Sequence, residues 1–118
     1  MELDAILVVE DGRGGLVSRY IIQSGIPVIV VSGANDAYDR LHRDGFQAVV
    51  LTPSVNVGPL EFVLNARDIH NGILIVVPAA IIDSAERSPL YDMPHVWVVE
   101  GTDSEFAQNA MDELPARE

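Results

Sequence analysis

The chain has 118 residues, 48% of them hydrophobic, and its 18 acidic residues outnumber seven basic ones for a net charge of −11. That length accommodates one domain with a real core, and that hydrophobicity excludes a disordered segment. Too few cations are present to neutralise phosphates, so no direct nucleic-acid binding by this domain is expected, and the absence of cysteine excludes disulfides and thiolate metal sites.

Residues 1–114 read as a single domain, with 115–118 as a frayed tail or the start of a linker. Met1 is followed at once by Glu2 and Asp4, and no apolar run approaches the ~20 residues of a membrane span. A cytoplasmic protein without a membrane partner is therefore expected.

Ala5–Val9 is a short apolar run that ends in the acidic pair Glu10–Asp11. Leu16, Tyr20 and Ile21 then recur at helical spacing before Gly25, a helix-stopping residue. Pro27–Val31 is a second β-branched run. Asn35 or Asp36 is expected to cap a helix with Ala37 and Leu41 on its inner face, stopping near Gly45. Ala48–Leu51 is the third strand. Leu60, Val63 and Leu64 open a helix that ends around Asn71–Gly72. Ile73–Val77 and Val96–Val99 are the fourth and fifth strands, and Ser88–Pro89 between them predicts a short or displaced helix. Thr102 or Asp103 caps a last helix with Phe106, Ala110 and Leu114 inside.

Strands that are apolar throughout, rather than alternating, are covered by helices on both faces. With helices between them they predict an open parallel sheet with right-handed crossovers, of flavodoxin-like order 2-1-3-4-5. Functional groups in such folds gather at the carboxyl ends of the strands. Here those ends are Glu10–Asp11, Thr52–Pro53, Pro78–Ala79 and Glu100–Gly101.

The run ILVVED at Ile6–Asp11 resembles the opening of a response-regulator receiver domain. The likeness continues through Ala37 and Leu41, AVVL at Ala48–Leu51, ILIVVPA at Ile73–Ala79 and VWVVEG at Val96–Gly101. In receivers the acidic pair helps hold Mg²⁺, and an Asp ending the third strand takes the phosphoryl group. A Ser or Thr after the fourth strand and a Lys after the fifth engage its oxygens. Fixed cations are needed there because a carboxylate must approach an anion.

Carried onto this chain, the resemblance implies a broken site. Glu10 and Asp11 match the acidic pair, but Thr52 stands at the acceptor position, and no Asp or Glu lies between Val49 and Pro59. Pro78 replaces the switch hydroxyl, with Ala79 matching the small residue that follows. Glu100 replaces the Lys and reverses its charge, and Gly101 follows in place of the usual proline. The resemblance also assigns Trp97 and Phe106 to an interaction face built by the fourth helix, fifth strand and fifth helix, although a lone Trp is equally a packing residue. An uncovered edge strand is itself a docking surface.

Glu10, Asp11 and Glu100 are expected to converge, which is unfavourable without screening by Arg13, water or a hard cation such as Mg²⁺ or Ca²⁺. The competing reading is a solvated acidic rim that requires no cofactor.

Other motifs fail on inspection. Gly12, Gly14 and Gly15 suggest a dinucleotide loop, but Val17 stands at the third glycine position. His42, His70 and His95 are far apart, and Ser18, Ser24, Ser32 and Ser54 lack a nucleophile-elbow context. Glu61 and Asp68 have no evident partner. No catalytic constellation results. The expected function is a phosphorylation-independent pseudo-receiver, binding a signalling partner or a second copy of itself. The alternative is a small flavodoxin-like enzyme or a ligand- or metal-binding protein using the acidic strand ends.

Overall fold

Four-residue runs of β-branched and aliphatic side chains give the strands, and amphipathic segments between them give the helices. The computed structural model describes residues 5–10, 16–53, 55, 57–82, 89–101 and 103–113, excepting the side chains of Leu16, Asp103, Ser104 and Glu113. The elements are β1 (Ile6–Val9), α1 (Leu16–Gln23), β2 (Val28–Val31), α2 (Ala34–Arg43), β3 (Ala48–Leu51) and α3 (Pro59–Ile69). They continue with β4 (Leu74–Pro78), a 3₁₀ turn (Ala79–Ile81), helical residues 89–92 (α4), β5 (Val96–Val99) and α5 (Asp103–Glu113).

All strand pairs are parallel and their order is β2-β1-β3-β4-β5. This is the flavodoxin-like α/β fold. Alternation along each strand divides the core into two halves. Leu7, Val9, Val49, Leu51, Ile75 and Val77 pack with α2 and α3, through Leu41, Phe62 and Val63 among others. Ile6, Val8, Ala48, Val50 and Val76 pack with α1 and α5, through Val17, Ile21 and Phe106. Phe62 and Phe106 are fully buried, one in each half. Burial of each ring contributes about 1.5–3 kcal/mol by area.

Several boundaries differ from the sequence expectation. The strands β1, β2 and β4 each begin one residue later than the apolar runs, and β4 extends to Pro78. Gly33, not Asn35 or Asp36, is the N-cap of α2, and it supplies no side-chain cap. Both candidates lie inside the helix, where Asp36 favours the positive end of the helix dipole. On α3, Leu64 is 49% exposed, and Phe62, Val63 and Ala66 form the buried stripe. Tyr20 is only half-buried, whereas Val17 and Ile21 carry the inner face of α1. Leu90 is buried in the short helical stretch 89–92. Ser88, Thr102 and Leu114 lie outside the described residues.

Candidate functional site

The carboxyl edge of the sheet was expected to hold Glu10, Asp11, Thr52, Pro78 and Glu100. Glu10 directly follows β1 and shares the parity of Ile6 and Val8, which turns it to the α1 face. Its side chain is 4% exposed. Oε2 accepts the backbone N–H of Val17 at 3.1 Å, and Oε1 accepts that of Ser18 at 3.4 Å. These N–H groups belong to the first turn of α1, where donors have no intrahelical partner and the helix dipole is positive. No acidic residue of α1 itself occupies that turn. A carboxylate expected to bind metal is thus engaged as the cap of a helix.

Thr52 follows β3 and is almost fully buried. Its hydroxyl donates to the carbonyl of Val9 at 2.9 Å, and its backbone N–H donates to the same oxygen at 3.2 Å. The threonine clamps the end of β3 to the end of β1. A carboxylate here would face the Val9 carbonyl oxygen, a contact that suits a hydroxyl.

Pro78 is the buried last residue of β4 and precedes the 3₁₀ turn. Glu100 is exposed beyond β5. Its carbonyl accepts the side-chain amide of Asn109 at 3.0 Å, tying α5 to the strand end. Gly101 has φ +98°, and a Cβ there would lie 2.8 Å from Glu105 Cγ and 3.1 Å from the Phe106 nitrogen. Glycine is required on both counts.

Glu10 and Glu100 follow strands that are not neighbours in the sheet. Two strands separate β1 from β5, a lateral distance of about 14 Å at ~4.8 Å per strand. Asp11 and Arg13 lie outside the described residues. Among the described residues, no group of three His, Asp or Glu side chains is placed to hold a metal ion. Mg²⁺ or Ca²⁺ at Glu10 would share the carboxylate with two backbone donors.

Trp97 is half-buried and packs against the α1/α5 half of the core. Phe106, assigned to an interaction face from sequence, has no exposed surface and is part of the core. Tyr91 in α4 is instead 50% exposed. His42 and His95 are exposed, as expected, whereas His70 caps α3 with its Nδ1 buried and unpartnered.

A cleft of about 610 Å³ opens where α2 and α3 begin, lined by Ser32, Asn35, Tyr38, Glu61 and Asn65 among others. Tyr38 stacks on Phe62 with ring centroids 5.4 Å apart, and its hydroxyl accepts from Asn65 Nδ2 at 3.2 Å. Tyr38 and Asn65 were not singled out from sequence, and Ser32, Asn35 and Glu61 were weighed only for other roles, because the lining comes from two helices and two loops with no motif linking it. The capping role of Glu10 did have a signal. It has the parity of the α1 face and precedes a helix whose own first turn lacks an acid. Compared with known proteins, the sequence matches no family model and no curated protein.

Proposed function

We propose that the chain is a receiver-like domain of signal transduction or transcriptional regulation that works without phosphorylation, through protein–protein contact. The observation that carries this reading is the structural use of both central positions. Glu10 caps α1 and Thr52 clamps β1 to β3, so neither is presented to an incoming phosphoryl group. The reversed charge at Glu100 and the proline at position 78 add to it. A module of this kind needs no catalysis, and its output is a change in which surface a partner meets.

The test is labelling by acetyl phosphate with Mg²⁺, read by intact mass. The wild-type chain is expected to remain unmodified. Thr52→Asp alone is also expected to stay poorly labelled, because Glu100 opposes the anion and no hydroxyl stands at Pro78. Efficient labelling of that single variant would overturn the reading.

The α2–α3 cleft favours a second reading, a small-molecule-binding protein of the same fold, since concave polar pockets at strand ends are where such folds bind ligands. A ligand-induced rise in melting temperature, abolished by Tyr38→Ala, distinguishes it from a module that responds only to a protein.

A further inference from the structure

The outer edge of β2 presents an unpaired backbone ladder. The N–H of Ile6 donates to the carbonyl of Pro27, and that of Glu10 to Val31, each at 2.9 Å. Backbone groups alternate in direction along a strand, so Pro27, Ile29 and Val31 address β1 while Val28 and Val30 address the outside. Because β2 ends the sheet, the N–H and C=O of Val28 and Val30 have no strand partner among the described residues. The Val30 side chain is 47% exposed. No charge, proline or bulge interrupts Val28–Val31 to blunt this edge.

Beside the edge lies a groove of about 440 Å³, lined by Glu10 after β1, by Val30, Val31 and Ser32, and by Asp36, Asp39, Arg40 and Arg43 of α2. Two of the seven basic residues in a chain of net charge −11 therefore stand on this one flank. Asp36 stands in the first turn of α2, Asp39 and Arg40 follow near its middle and Arg43 ends it, with Arg40 also 3.8 Å from Asp44.

We propose that this edge is a homodimer interface, in which β2 of a second copy adds antiparallel across a two-fold axis at Ile29. That register pairs Val28 with Val30 of the second copy, and Val30 with its Val28. All four outward groups on each strand are then used, in four backbone hydrogen bonds, and Ile29 meets its own symmetry mate as the non-hydrogen-bonded pair. The same axis sets the two α2 helices antiparallel. Asp36 and Asp39 of each copy then stand opposite Arg43 and Arg40 of the other, as an isologous interface requires. The total charge of each copy opposes association at long range, and salt screens that repulsion. With such short strands the dimer belongs to the weak, concentration-dependent class.

The proposal specifies the partner and surface of the interaction role above and rests on that reading only for its biological meaning. Its failure would leave the labelling result at position 52 untouched. The test uses the absence of native cysteine. Across a non-hydrogen-bonded antiparallel pair the Cα atoms stand about 4.5 Å apart, within disulfide reach. Ile29→Cys is expected to form a disulfide-linked dimer under mild oxidation, while Leu64→Cys, exposed on α3, does not. Sedimentation of the wild-type chain at physiological salt is expected to show a reversible monomer–dimer equilibrium. Arg40→Glu with Arg43→Glu is expected to raise its dissociation constant about tenfold, with an unchanged circular dichroism spectrum. A wild-type chain monomeric up to millimolar concentration overturns the proposal. So does a dimer in which Ile29→Cys cross-links no faster than Leu64→Cys.

Discussion

Replacing Glu10 with alanine removes both acceptors from the first turn of α1 and leaves the Val17 and Ser18 N–H groups without that partner in a buried setting. A hydrogen bond to a charged group contributes about 1.5–3 kcal/mol, and a lost cap about 0.5–2 kcal/mol. One of the two bonds is long at 3.4 Å, so the combined loss is set at about 2–3 kcal/mol. A chain of this size unfolds with an entropy of about 0.25 kcal/mol/K, which converts the loss to a fall in Tm of roughly 8–12 °C. Glu10→Gln keeps one acceptor without the charge and is expected to fall by about half as much. Thermal unfolding followed by far-ultraviolet circular dichroism, checked by urea titration, measures both. The sign is diagnostic. Were Glu10 an unengaged member of an acidic cluster, its removal would relieve repulsion and raise Tm. An alanine variant as stable as the wild-type chain, or more stable, would refute the capping argument.

Thr52→Val keeps the shape of the side chain and deletes its bond to the Val9 carbonyl, which still accepts the Thr52 backbone N–H. A loss of about 1 kcal/mol is expected in urea unfolding, and a stabilised variant would contradict the clamp. Gly101→Ala places a Cβ against Glu105 and the Phe106 nitrogen at a positive φ. It is expected to cost about 1–3 kcal/mol, and unchanged stability would show that the turn relaxes freely.

Much of this molecule was legible because its signals are local. Five apolar runs at regular spacing specified five strands, of which β1, β3 and β4 are buried throughout and the edge strands β2 and β5 only in part, and the parallel order followed from the helices between them. The residue types at Thr52, Pro78 and Glu100 were equally visible at the strand ends. What those residues do instead was harder to read. The cap from Glu10 joins a strand end to a helix start across seven and eight residues, and the Thr52 clamp spans 43. Neither has a sequence motif. Convergence of Glu10 with Glu100 was inferred from their shared edge, without weighing the two strands that lie between β1 and β5. The cap of α2 was misplaced for a different reason. Asn35 and Asp36 have capping chemistry, but Gly33 already has the extended backbone of an N-cap and Ala34 opens the helix.

The central claim is that Glu10 and Thr52 have structural uses in place of a phosphorylation switch. Amide chemical shifts, recorded while Mg²⁺ and then beryllofluoride are added, test it most directly. Beryllofluoride imitates a phosphoryl group on an acceptor carboxylate. The account predicts no saturable shift at Thr52, Ala79 or Trp97 that requires both reagents. Saturable, Mg²⁺-dependent shifts at those residues would mean that a working switch survives at this sheet edge.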